Sequence, residues 1–303
     1  MTWHRSSLCF APIRSTTIRS ASVGDPHPRT QPPAWRQQLE VWSAGLQGGL
    51  LSLARDPTVG LRRLIFPVSY WRTPEFAYVR RELRLPNGAS VLDLGSAKEL
   101  GTWLALRRGY AVTSADILTA EVSRTERYAS ALGIRGSSPG HLRAEVQDGR
   151  SLTFANDAFD AAYCVSTLGN IPGDGDSQTI RELLRVVRVG GVVVVTVPFG
   201  SKYSETYVNR PVHERDFEGQ PIFWERRYDR QSMVDRLQNL PGARLVSLEF
   251  WGERVRLERW ITGRGPLRFV LLPLEPLLAL LALRPLADSD RATVAFFTLQ
   301  KTS

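Results

Sequence analysis

The stretch Ser90-Val91-Leu92-Asp93-Leu94-Gly95-Ser96-Ala97-Lys98-Glu99 constrains this chain more than any other, together with Asp116 at the close of Val112-Thr113-Ser114-Ala115-Asp116-Ile117. An apolar run enters a tight turn of small residues, a helical stretch follows, and a second apolar run ends in an acid. Strand, turn, helix and strand in that order build a nucleotide-type site at the carboxyl edge of a parallel sheet. A dinucleotide fold wants G-x-G-x-x-G after its first strand, so that a pyrophosphate can rest on the helix N-terminus. That glycine trio is absent, and the turn after Asp93 suits a ligand carrying an amino-acid ammonium and carboxylate instead.

The rest of the chain repeats the alternation. Helical spacing at Gly101 to Arg108, 121–132 and Ile180 to Val187 separates strand patterns at Val91–Leu94, Tyr110–Ala115, Arg143–Val146, Phe159–Val165 and Val192–Val197. Val192–Val197 is a β-branched run of the kind buried on both faces. This predicts a doubly wound, mostly parallel α/β sheet of seven strands with helices on both sides and a reversed last strand, Thr293 to Gln300. Three parts are expected: a disordered or targeting-like tail at 1–34, an N-terminal helical cap at 35–85, and the α/β domain at 86–303 with an apolar insertion at about 252–290. The cap's apolar face is read from Leu39, Trp42, Leu46, Leu50 and Leu53. Gly190-Gly191 is expected to close the helix before the fifth strand, 201–228 to form a polar, aromatic loop region, and Asp229 to cap a short helix.

Composition narrows the function classes. A formal charge of +9 comes mostly from scattered Arg, with no basic block, and does not by itself call for nucleic acid. Two cysteines exclude a disulfide framework, and four histidines show no metal-ligand spacing. Cys164 falls inside a strand pattern and reads as a small buried hydrophobe. The tail is basic and hydroxylated like a transit peptide but interrupted by prolines, and no secretory core is present, so a cytoplasmic location is expected. Phe269 to Leu283 is too short and too broken by Pro273 and Pro276 to span a bilayer.

From Val91 to Lys301 the chain resembles the class I S-adenosylmethionine-dependent methyltransferases, the type 11 group in particular. Val91-Leu92-Asp93-Leu94-Gly95 resembles the family's first motif, and Asp116 sits where its acid takes the ribose hydroxyls. Asp148-Gly149 resembles the turn that recognises the adenine amine. Phe159 to Tyr163 with Ser166-Thr167-Leu168 resembles the fourth strand and its loop, and Leu184 to Gly191 the approach to the fifth. The resemblance implies S-adenosylmethionine as cofactor, no metal, and a binding set of Asp93, Gly95, Ser96, Ala97, Asp116, Ile117, Asp148, Gly149 and Ser166. Where the family carries further glycines this chain has Ala97 and Glu99. Lys98 is a candidate to pair with the cofactor carboxylate in compensation.

Methyl transfer from a sulfonium is an in-line displacement that needs alignment above all, and a base only for a protonated acceptor. Candidates for such a base are His213, Tyr203 and Tyr207, with Ser166 and Asn170 nearby in the pattern. Tyr70 and Trp71 fit either a lid over the cofactor or helix packing. A small-molecule or lipid-like acceptor is expected. The segment 266–286 is open to four readings: core, dimer surface, lid, or peripheral membrane contact. The rival functions are a non-catalytic binding protein on the same fold and, further off, a nicotinamide-dependent oxidoreductase; a nucleic-acid methyltransferase lacks its usual motif.

Overall fold

The computed structural model describes residues 33–96, 98–134, 140–212, 218–255, 257, 261, 271–287 and 289–303. Among the described residues three helices come first: α1 (Ala34–Leu53), α2 (Pro57–Ile65) and α3 (Arg72–Glu82). Then follow β1 (Ser90–Leu94), α4 (Lys98–Arg108), β2 (Ala111–Asp116), α5 (Thr119–Ala131), β3 (Leu142–Val146), β4 (Phe159–Val165), α6 (Gly175–Val186) and β5 (Val187–Pro198). The chain closes with β6 (Ser204–Val208), β7 (Ile222–Arg227), α7 (Arg230–Met233), β8 (Ala243–Glu253), α8 (Glu275–Ala282), β9 (Leu283–Leu286) and β10 (Val294–Lys301). The tail expectation lies outside the described residues up to Pro32.

The main sheet runs β3-β2-β1-β4-β5-β10-β8-β9. The first five strands are parallel, and β10 inserts antiparallel between β5 and β8, as the reversed last strand requires. Among the described residues the sheet has eight strands rather than seven, because β9 pairs antiparallel along β8. Pro285 masks that strand in the sequence; an edge strand tolerates a proline because one side of its ladder is unpaired.

Alternate residues of the strands feed two cores. Val91, Val112, Tyr163, Val194 and Phe296 meet the cap helices and α4 through Phe76, Val79, Leu100 and Leu104. Leu92, Ala162, Cys164, Val195 and Phe297 meet α6 and the α7 region through Ile180, Leu183, Met233 and Leu237. Both faces are covered, which is why the central strands read as continuous apolar runs.

Four local expectations change. The buried face of α1 is Val41, Gly45, Gly48, Gly49 and Ser52, while Leu50 is exposed and Leu39, Trp42, Leu46 and Leu53 are half-buried. Small residues win that face because the chain after α2 approaches so closely that a Cβ on Gly45 would fall 2.6 Å from the Pro67 carbonyl oxygen. Helix α6 ends at Val186, not at Gly190-Gly191; β5 starts at Val187, and its pairing with β4 shifts register between Phe159 and Ala161. The region 201–228 holds the antiparallel pair β6–β7. Tyr70 is not a lid: its N–H donates to Glu275 Oε2 at 2.8 Å and its hydroxyl to Glu253 Oε1 at 2.8 Å, so it packs the cap onto β8 and α8. The Asp229 cap forms as expected, reciprocated by Ser232.

Of the apolar segment, 262–270 lies outside the described residues. Helix α8 buries Glu275, Pro276, Ala279 and Ala282 and exposes Leu274, Leu277 and Leu281. No helix among the described residues is long and apolar enough to cross a membrane.

Candidate active-site cleft

A cleft of about 680 Å³ opens at the carboxyl ends of β1, β2, β3 and β4, within the size range of small-ligand sites. Gly95, Ser96, Asp116, Ile117, Asp148, Gly149 and Ser166 all line it. Residues predicted from four separate stretches therefore meet at one place. Ala97 and His213 lie outside the described residues, as does the Lys98 side chain.

Each wall follows from its strand end. Gly95 has φ +63°, the left-handed region that glycine alone enters without penalty. A Cβ there would sit 2.5 Å from Thr167 Cγ2, so the bare backbone of the turn after β1 packs directly against the Thr167 side chain of the loop after β4. Thr167 Oγ1 donates to the Gly95 carbonyl at 2.8 Å, and Ser96 Oγ accepts from the Val165 N–H at 3.0 Å. The Ser96 hydroxyl thus stitches β1 to β4. At the end of β2, Asp116 Oδ1 accepts the Leu118 N–H at 3.0 Å, which fixes the carboxylate on the cleft wall, and Ile117 stands beside it as an exposed apolar surface. After β3, Asp148 is clasped by Arg150 through Nε and Nη2 at 2.6–3.0 Å. The Arg150 guanidinium holds the Asp148 carboxyl below the usual carboxylate range.

Asp93 does not line the cleft. It is fully buried on the α4 side of β1, where a Cβ added to Gly101 would lie 2.9 Å from its Oδ2 and 3.2 Å from the Tyr163 hydroxyl. Period-two alternation explains this: Asp93 shares the face of Val91, opposite Leu92 and Leu94. Burial, reinforced by Asp93, pushes the Tyr163 hydroxyl well above its ordinary pKa. Glu99, the other anomaly of the turn, points away from the cleft into an ion pair with Arg63 on α2. The Arg63 guanidinium stacks 4.7 Å from the Tyr128 ring centre. This first turn of α4 therefore helps to pin the cap.

The candidate bases fare differently. Tyr203 and Tyr207 lie on and just before β6, outside the cleft lining. Both donate to Glu205, at 2.6 and 2.8 Å. Burial together with Glu205 raises the Tyr203 pKa, and Glu205 raises that of Tyr207, so neither phenolate is favoured. Ser166 lines the cleft, but its hydroxyl donates to Glu75. It holds φ +52°, a costly conformation for a residue with a side chain. Asn170 lines the cleft too and donates to the Trp224 carbonyl at 2.8 Å, tying the loop after β4 to β7. Cys164 is fully buried, and burial pushes its thiol up to about 12, which excludes a cysteine nucleophile.

Sequence reasoning missed two groups. The first is Arg72 and Glu75 on α3. Glu75 is fully buried, accepts Thr196 Oγ1 at 2.8 Å and the Ser166 hydroxyl, and is paired with Arg72, which lines the cleft. The second is a buried ion network that holds the cleft rim. Arg226 pairs with Asp176 at 2.8 Å and Glu205 at 3.0 Å and donates to the carbonyls of Ile171 and Gly173. Tyr228 and Arg236 complete the Asp176 shell at 2.7 and 2.9 Å.

Residues 92–195 match the family model described as "Methyltransferase domain". Among solved structures, the [4+2]-cyclase SpnF aligns with TM-score 0.51 and 19% identity over 78% of this chain and 84% of that one. A chain from the complex between the Haloferax volcanii Trm112 methyltransferase activator and a methyltransferase aligns with TM-score 0.51 and 12% identity, over 78% and 90%. An S-adenosylmethionine-dependent methyltransferase of Methanosarcina mazei aligns with TM-score 0.49 and 16% identity, over 74% and 97%. No curated protein matches the sequence significantly. Residues 92–195 thus carry the methyltransferase-domain match, and the strand order with its reversed β10 and the cleft at the strand ends give the chain the Rossmann-like fold of the class I S-adenosylmethionine-dependent methyltransferases.

Proposed function

We propose that the protein binds S-adenosylmethionine in this cleft and transfers its methyl group to a small-molecule or lipid-like acceptor. The observation that carries the reading is the convergence of Gly95, Asp116, Ile117 and Gly149 on one cavity of about 680 Å³. The fit is chemical as well as spatial. The Asp116 carboxylate offers charge-assisted acceptance to a pair of vicinal hydroxyls. Ile117 offers an apolar face to a base. Gly95 and Gly149 put main chain on the cavity wall, each held there by a side chain packed where its Cβ would be, Thr167 and Leu94 respectively. Asp148 receives an exocyclic amine by giving up part of its bond to the exposed Arg150.

The donor supplies an electrophilic methyl on a sulfonium, with a thioether as leaving group. The chain's own part is to align acceptor and donor and to exclude water, which can supply most of the acceleration. Among the described residues no side chain in the cleft stands out as a base, which suits an acceptor whose attacking atom already carries a lone pair. The lipid-like option rests on the exposed Leu274, Leu277 and Leu281.

A second reading, ligand binding without methyl transfer, draws on Glu99 and Ala97 in place of glycines and on a cyclase among the structural neighbours. Calorimetry with S-adenosylhomocysteine tests the site. Radiolabelled methyl transfer from S-adenosylmethionine into a panel of small and lipid acceptors separates the two readings: binding without transfer to any acceptor favours the second.

A further inference from the structure

We infer that Arg72, oriented by Glu75, is a carboxylate-binding group of the cleft. The inference rests on the reading of this cavity as the donor site, and extends it to residues outside the matched segment. A fully buried carboxylate is costly unless paired and hydrogen-bonded. Glu75 meets that demand with two hydroxyls, Ser166 Oγ and Thr196 Oγ1, and one cation, Arg72 Nη1 at 2.7 Å. The hydroxyls come from just beyond β4 and from within β5, so the carboxylate is fixed relative to the sheet and fixes the guanidinium in turn. Ser166 makes this bond while its backbone holds φ +52°.

The guanidinium has donors to spare. It carries five N–H groups in a planar fork, and among the described residues Glu75 is its one polar partner. The Arg72 side chain is 29% exposed and borders the cleft. Arg150 also lines the cavity, but its fork is already closed on Asp148. Among the described residues of the cleft, Arg72 is therefore the cation able to offer a fork to a bound oxyanion, and a planar carboxylate matches that geometry better than a point charge would. Two ligands carry one: the donor, on its methionyl end, and an acidic acceptor.

The test uses calorimetry on the wild type, Arg72→Gln and Arg72→Lys, each first shown by its urea unfolding curve to be fully folded under the conditions of the assay. The probes are S-adenosylhomocysteine, its decarboxylated analogue, and acetate titrated into protein saturated with S-adenosylhomocysteine. If the donor's carboxylate is the ligand, Arg72→Gln weakens S-adenosylhomocysteine about 10- to 100-fold, in line with a lost charge-assisted pair. The decarboxylated analogue then stays within about twofold, and Arg72→Lys falls between. If the carboxylate belongs to the acceptor, both nucleosides bind unchanged and the acetate response disappears in Arg72→Gln. Wild-type values for all three probes in Arg72→Gln overturn the inference. Wild-type protein that ignores S-adenosylhomocysteine but takes acetate through Arg72 counts against the donor site and not against this one.

Discussion

Replacing Gly95 with alanine tests the geometry of the cleft floor in a quantitative way. The residue holds φ +63°, and an alanine in that region costs about 1–2 kcal/mol. The new Cβ also lands 2.5 Å from Thr167 Cγ2 and 2.9 Å from Thr167 Oγ1, an overlap that forces a shift worth about 1–3 kcal/mol. Together these give roughly 3 kcal/mol of destabilisation for Gly95→Ala. Thr167→Ser removes the offending methyl while keeping the hydroxyl that donates to the Gly95 carbonyl at 2.8 Å. Alone it costs about 0.8 kcal/mol, one methyl group. In the double variant the strain of φ persists but much of the overlap is relieved, so the two changes couple by about 1–2 kcal/mol. Urea unfolding of the four proteins measures this cycle. Additivity within about 0.5 kcal/mol would show that the two loops do not touch as described.

Two further outcomes follow from buried groups. Arg226→Met strips the partner from a fully buried Asp176 and donors from Ile171 and Gly173, and urea unfolding at pH 7 should show a loss of about 3 kcal/mol, less than a bare buried pair because Tyr228 and Arg236 remain. Arg236, Tyr228 and Arg226 outweigh burial and depress Asp176 below its ordinary 3.8, so the network's contribution is present above that value and fades as pH falls through the depressed one; the Arg226→Met penalty should shrink in that acid range. Cys164, buried with its thiol pushed up to about 12, should stay unlabelled by iodoacetamide at pH 8 in folded protein and label fully in urea, read by peptide mass spectrometry.

How much of this was legible in the sequence depends on the range of the interactions. The strand–turn–acid unit, the alternation through β5 and the reversed β10 are local patterns, and the structure follows them. That the residues at the strand ends line one cleft was legible for the same reason: a parallel sheet brings its carboxyl edge together wherever the strands lie in sequence. Asp93 was misplaced because it was read by motif and not by alternation, which puts it on the α4 face. Glu75 could not be read at all. Its partners Ser166 and Thr196 lie 91 and 121 residues away, and in sequence Arg72–Glu75 is an ordinary i,i+3 helix pair. Arg226 and Asp176 were hidden likewise, since two charges 50 residues apart in polar stretches carry no sign of burial. The β6–β7 pair escaped because its strands are half-exposed and mixed in polarity, without clean alternation.

The central claim is that the cleft is a methyl-donor site organised by Asp116. Calorimetry of wild type and Asp116→Ala with S-adenosylhomocysteine, with NAD as control, tests it most directly. One-to-one binding to wild type is expected, weakened roughly 10- to 100-fold in Asp116→Ala as the charge-assisted bonds to the ribose are lost, with no heat from NAD. Binding of NAD in preference, no binding of S-adenosylhomocysteine, or equal affinity in the variant would contradict it.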